Sequence, residues 1–281
     1  IIITIITFSV FCGCPLGLYD CLKSPRIDDH AEALPLDMAE NSVDDSYEGC
    51  SRPMNALVVS KYTEYEKKHT PGFKNAWEIS LRNANVNGQL GKNQSAAIYM
   101  YTRERECKVD CTYREFNKAT RDGKQAYKSG RFQFYTLFFY LTVAIQQLKP
   151  KCVTVYRRTG ESFPTDVRNH RIRFGTFTST SRRKDLIDFG KKSCFEVYTC
   201  YGADIEQYSA FPGESEVLIP PYEVFRVTAI KKNSWCEVVY ELKSDGKQSN
   251  LKCAKVFSSS AAAEPSFFIA VLLFTAVWVN K

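Results

Sequence analysis

Four side chains in the second half of this 281-residue sequence have the types and spacing to do chemistry. Glu214 and Glu216 stand one residue apart in Phe-Pro-Gly-Glu-Ser-Glu, directly before the apolar run Val217, Leu218, Ile219. If Glu214 enters a strand that ends at Ile219, residues two apart face the same side, so both carboxylates open into one space while Ser215 points away. Two acids on one face repel, and without a cation between them one pKa rises. Such a pair suits work on something positive: a guanidinium, a metal or an oxocarbenium-like transition state. The competing interpretation is a solvated strand edge, since charged residues lie mostly at the surface. Arg157 closes the run Val-Thr-Val-Tyr-Arg-Arg, where a fixed guanidinium suits phosphate or an ordinary surface ion pair. Ser179, in Phe-Thr-Ser-Thr-Ser, offers hydroxyls to a ribose or an amide, or the run caps a helix over 182–189.

The elements that must position these groups divide the chain in two. From Met54 to about Gln147 apolar residues recur at three and four, which predicts helices over MNALVVSKYTEYEKKH, FKNAWEISLRNA, YREFNKATRDGKQAY and FYTLFFYLTVAIQQL. From Cys152 onward the runs are short, β-branched and aromatic (CVTVYRR, IRFGTFTSTS, CFEVYTCYG, ESEVLIP, EVFRVTAI, WCEVVYELK), which predicts strands. Helices followed by strands indicate an α+β fold. No internal repeat or low-complexity linker interrupts this stretch, so one domain over 22–257 is the simplest organisation.

The ends suggest a secreted, surface-held protein. Residues 1–12 are an apolar stretch, too short to span a bilayer, that reads as the core of a signal peptide over 1–21 whose first residues are missing. Residues 267–279 are a short apolar tail behind the small residues Ser258, Ser259 and Ser260, candidate sites for a GPI anchor. Of eleven cysteines, Cys12, Cys14 and Cys21 belong to the leader, and the remaining eight, with no histidines in ligand spacing, indicate disulfides in an oxidising compartment and no metal. Asn93-Gln94-Ser95 is a glycan acceptor sequence. The charge of +7 is scattered among acids, which gives no support to a nucleic-acid face.

Taken together, VYRR, RFGTFTSTS and QYSAFPGESEVLIPPYEVF, with LDMAENSVDDSYEGC near the start, AIYMYT, REFNKA and the cysteine placement, resemble the mono-ADP-ribosyltransferases. The likeness is to the vertebrate GPI-anchored or secreted ecto-enzymes that modify arginine, and it covers nearly the whole chain. It implies an α+β ADP-ribosyltransferase fold, a helical N-terminal part packed on a mixed, mainly antiparallel pair of sheets that encloses an NAD cleft. It also implies NAD as co-substrate, protein arginine as acceptor and an extracellular or cell-surface location; an NAD glycohydrolase and a catalytically silent surface binding protein are the alternatives. By the same resemblance Arg157 would bind the NAD phosphates, and Ser179 would orient the catalytic glutamate. Glu216 would stabilise the oxocarbenium-like transition state, Glu214 would engage the acceptor guanidinium, and Ser209 and Tyr101 would contact NAD. The family often has Gly after the phosphate-binding Arg, where this chain has Arg158, a departure that bears on nicotinamide affinity. The implied disulfides are Cys50–Cys253 and Cys152–Cys200, leaving Cys107–Cys111 and Cys194–Cys236.

Overall fold

The computed structural model describes residues 34–103, 112–148 and 150–256, which fall in one compact unit. The leader over 1–21, the tail over 258–281 with Ser258, Ser259 and Ser260, and the Cys107–Cys111 pair lie outside the described residues.

The helical half runs from α1 (Ser51–Leu57), through a π turn at Val58–Tyr62, into α2 (Thr63–His69), then α3 (Phe73–Asn83), α4 (Lys92–Thr102), α5 (Thr112–Asp122), α6 (Lys124–Ser129) and α7 (Tyr135–Gln147). Most of α7 is apolar on every side, and all of Tyr135 to Ile145 except Val143 is buried, so it forms the centre about which the other helices pack. Among the described residues no helix is long and apolar enough to cross a membrane.

The strands are β1 (Val153–Thr159), β2 (Arg171–Ile172), β3 (Thr178–Ser181), β4 (Ser193–Thr199), β5 (Ala203–Asp204), β6 (Glu216–Ile219), β7 (Glu223–Lys232) and β8 (Val238–Lys247). They form one ladder in the order β2-β7-β8-β4-β1-β3-β6-β5, with only β4 and β8 parallel. The pair of sheets expected from the resemblance is thus a single sheet with a weak seam. β1 runs against β4 along its whole length, but it meets β3 at one residue pair, Tyr156 and Ser181.

The apolar run after the glutamates is explained by β6, which is buried on both faces. Leu218 joins the helical core with Phe177, Phe138 and Tyr101, while Val217 and Ile219 join a second core with Val155, Phe195, Val197 and Leu242. The run IRFGTFTSTS is not one strand. It breaks between β2 and β3 at Gly175, whose backbone is left-handed (φ +71°) and where an added Cβ would lie 2.6 Å from Ala39 Cβ.

Long-range ties close the unit. Disulfides join Cys50 to Cys253, Cys152 to Cys200 and Cys194 to Cys236. Arg173, fully enclosed, donates to Asp44 Oδ2 at 2.6 Å and to the carbonyls of Met38, Ala39 and Gln248, fixing the N-terminal segment 37–44 against β2. Asp45 accepts from Tyr127 Oη and from the amides of Tyr47 and Cys253. These two adjacent acids are structural, and among the described residues the one grouping with metal-ligand proximity, Asp45 with Cys50 and Cys253, has both sulfurs in a disulfide.

Candidate functional site

The seam between β1 and β3 is where the chemistry-bearing residues meet. Beyond the Tyr156–Ser181 pair the two strands part, and a side chain crosses the gap: Arg157 Nη1 donates to the Ser179 carbonyl at 2.7 Å. A cavity opens there, lined by Arg157, Ser179, Glu214 and Glu216, with Tyr156, Arg158, Arg183, Leu186 and Phe189 at its walls. Arg157 comes from one side of the seam, and Ser179 and Glu216 from the other.

Glu216 opens β6 and is 5% exposed. Burial pushes its carboxyl up to about 7, the neighbouring Glu214 adds to the rise, and the Ser179 hydroxyl, the Ser209 hydroxyl and Arg157 hold it down. Ser209 Oγ donates to Glu216 Oε2 at 3.3 Å and accepts the Phe211 amide at 3.1 Å, so it fastens the carboxylate to the loop that precedes it. This carboxyl changes charge near neutral pH while hydrogen-bonded in place, which suits electrostatic stabilisation of a developing cation.

Glu214 reaches the same cavity by a different route from the one expected. It is not in the strand: it ends a 3-10 turn (Pro212–Glu214), and Ser215 behind it is left-handed (φ 48°, ψ 50°), so strand alternation does not apply. The turn is tied to the end of β3, where Ser181 Oγ donates to the Glu214 carbonyl at 2.5 Å, Arg182 N to the Ser215 carbonyl at 3.1 Å and Arg183 Nη1 to the Gly213 carbonyl at 2.9 Å. Both carboxylates therefore face one space, one fixed by a buried strand and one by a loop. A left-handed serine is tolerated and a β-branched residue is not. Ser215→Val should lower stability by about 1–2 kcal/mol in urea denaturation, and Ser215→Gly should stay within about 1 kcal/mol of the parent.

Tyr101 is not at the cavity. It is 1% exposed, packs with Tyr113, Phe116 and Phe177, and donates its hydroxyl to the Phe177 carbonyl at 2.7 Å. Its neighbour Thr102 accepts the Ala210 amide at 2.9 Å, so the end of α4 supports the floor and the entering loop of the site. Asn93 is exposed in the first turn of α4, with Nδ2 donating to Tyr140 Oη at 3.0 Å.

The cavity wall formed by segment 182–192 has no counterpart in the sequence reading. No helix forms over 182–189; the segment is an excursion from β3 to β4 with one 3-10 turn at Ile187–Phe189, presenting Leu186 and Phe189 to the cavity. Three apolar residues in LIDF amid charged neighbours are the available signal, since exposed apolar residues clustered in a charged loop can mark a binding face.

Residues 36–250 match the family described as NAD:arginine ADP-ribosyltransferase. The chicken (Gallus gallus) NAD(P)(+)--arginine ADP-ribosyltransferase 2 is 39% identical over 231 residues, covering 78% of this chain and 72% of its own. The rabbit (Oryctolagus cuniculus) GPI-linked NAD(P)(+)--arginine ADP-ribosyltransferase 1 is 30% identical over 281 residues, covering 89% and 84%. Among solved structures, the eucaryotic mono-ADP-ribosyltransferase ART2.2 is similar with a TM-score of 0.64 and 29% identity, covering 78% of this chain and 98% of its own. A mutant of it solved in complex with NAD gives 0.65 at 28% identity with the same coverage.

Proposed function

The chain belongs to the NAD:arginine ADP-ribosyltransferase family, and from that premise we propose that it transfers ADP-ribose from NAD to arginine side chains of proteins, releasing nicotinamide. The observation that carries this reading is the buried carboxylate of Glu216, hydrogen-bonded by Ser179 and Ser209 and sharing one cavity with Arg157 and Glu214.

In this reading Arg157 holds the phosphates of NAD, its guanidinium already oriented by the Ser179 carbonyl. Ionised Glu216 hydrogen-bonds the hydroxyl of the nicotinamide ribose and faces the positive charge that builds on the sugar as the bond from the anomeric carbon to the nicotinamide nitrogen breaks. The electron pair of that bond leaves with nicotinamide. Glu214 takes up the proton of the incoming guanidinium, which is protonated at neutral pH and a poor nucleophile until it gives that proton up. A nitrogen of the arginine then closes the new bond to the anomeric carbon. Each carboxylate thus has its own positive partner, which is what two acids in one cavity need.

The relatives that are GPI-linked support a cell-surface location, with the segment 258–281 as the proposed anchor signal. The test is nicotinamide release from NAD with and without agmatine, an arginine analogue. Agmatine should raise release several-fold and become labelled by radioactive ADP-ribose. Equal release with no labelled agmatine would make water the acceptor, and failure of the disulfide-intact protein to bind NAD in calorimetry would make the chain a silent member of the fold.

A further inference from the structure

Arg158 stands at the cavity wall, but its guanidinium is engaged by protein groups. Tyr156 and Arg158 are two apart on β1 and share one face, opposite Arg157. On that face the Arg158 guanidinium stacks on Trp235 at 4.7 Å from the ring centroid, and Lys184 Nζ lies over the same ring at 4.8 Å and over Tyr156 at 5.2 Å. The fork is also satisfied by backbone: Nε donates to the Lys184 carbonyl at 2.9 Å, and Nη1 approaches the carbonyls of Gly190 and Trp235, each at 3.5 Å. Lys184 and Gly190 are the two feet of the excursion that carries Leu186 and Phe189 over the cavity.

The second foot also rests on β1. Gly190 packs so closely on the end of that strand that an added Cβ would lie 2.5 Å from the Gly160 nitrogen, and Lys192 N donates to the Thr159 carbonyl at 3.2 Å. Trp235 in turn is fixed by its neighbour, because Cys236 is bonded to Cys194, the residue directly opposite Arg158 on β4. A single guanidinium therefore links three elements: strand β1, both feet of the loop over the cavity, and a hairpin tip held by a disulfide.

We propose that Arg158 is a positioning residue that clamps the 182–192 loop in its cavity-covering conformation, so that the loop meets bound NAD already ordered. This rests on the functional reading above. Without the clamp the loop must be ordered at the expense of NAD binding, which weakens affinity and leaves the chemical step at Glu216 largely unchanged. Arg158 thus contributes through the loop and not by touching the reacting atoms.

The test uses the secreted, disulfide-intact protein with Arg158→Ala and Arg158→Lys. With agmatine as acceptor, Arg158→Ala should raise KM for NAD about 10-fold while kcat changes less than about 3-fold. Backbone hydrogen exchange without NAD should speed up across 184–192 by about 10-fold, notably at the Gly190 and Lys192 amides. Arg158→Lys keeps the charge above Trp235 but lacks the fork, so it should restore part of both effects, and it stands in if the alanine variant is not secreted. Unchanged exchange in the variants overturns the clamp. Faster exchange with an unchanged KM overturns its role toward NAD. If the parent protein does not turn over NAD but the variants exchange faster, the clamp stands and the functional reading falls instead.

Discussion

Glu216→Gln should abolish most transfer and at the same time make the protein more stable above neutral pH. The amide keeps the shape of the carboxyl and can accept a hydrogen bond from Ser179 or Ser209, but it carries no charge to face the sugar cation. Removing one preorganised group of this kind costs about 10²–10³ in kcat, and the loss here should lie at the upper end, because Glu216 is the buried carboxylate of the site. The sign of the stability effect follows from protonation. The carboxyl titrates near 7 in the folded protein against 4.5 in the open chain, so between those values the folded state binds more protons and stability falls as pH rises. At pH 8 the parent holds the ionised group at a cost of up to roughly 3 kcal/mol, which glutamine avoids. Urea denaturation should therefore show a gain for Glu216→Gln at pH 8 and none at pH 4, while kcat/KM of the parent falls off on the acid side with a midpoint near 7. A variant that loses both activity and stability at pH 8 would mean that Glu216 is a structural carboxylate.

Glu214→Gln separates the two reactions that a single site can run. Glutamine can hydrogen-bond a guanidinium but cannot take its proton, so labelled ADP-ribosyl-agmatine should fall by about 10²–10³, within the usual range for loss of a general base. Nicotinamide release to water should stay within about 3-fold, because water is already neutral and has a free lone pair, whereas the guanidinium must first give up a tightly held proton. The separation is credible because of how each carboxylate is held. Glu216 belongs to a strand buried on both faces, while Glu214 ends a turn fastened by Ser181, Arg182 and Arg183. Changing the Glu214 side chain therefore leaves Glu216 held in place by its own strand. Parallel loss of transfer and hydrolysis would assign Glu214 to NAD instead of the acceptor.

How far the sequence could be read differs from residue to residue, and the differences have physical causes. The helical half and the later strands follow local periodicity and were legible. The grouping of Arg157, Ser179 and the two glutamates was legible only through their joint resemblance to a family, since each alone is explained as well by a surface role. The geometry of Glu214 was not legible: Ser215 adopts a left-handed backbone without the glycine that would announce it, so a turn looked like the first residues of a strand. The burial of Tyr101 is not legible either, because aromatic residues near a motif look alike whether they line a cleft or pack beneath it, and its ring contacts come from α5 and the residue before β3, distant in sequence. Asp44 and Asp45 lie in a segment that carries the resemblance, yet they hold the N-terminal segment to residues some two hundred positions away. The role proposed for Arg158 depends on a strand, a loop and a hairpin tip meeting at once, which no local pattern encodes.

The one-pair seam between β1 and β3 gives an occupant of the cavity a second effect. The backbone ladder joins the five strands on one side to the three on the other at a single rung, and the cavity is lined from both sides. A molecule seated there is a non-covalent cross-link between two blocks that the backbone joins weakly, as well as a reactant. At a hundredfold excess over its dissociation constant, such an occupant adds about 2.7 kcal/mol to folding stability by mass action alone. Such an occupant touches both blocks at once, bridging them where the backbone ladder is thinnest.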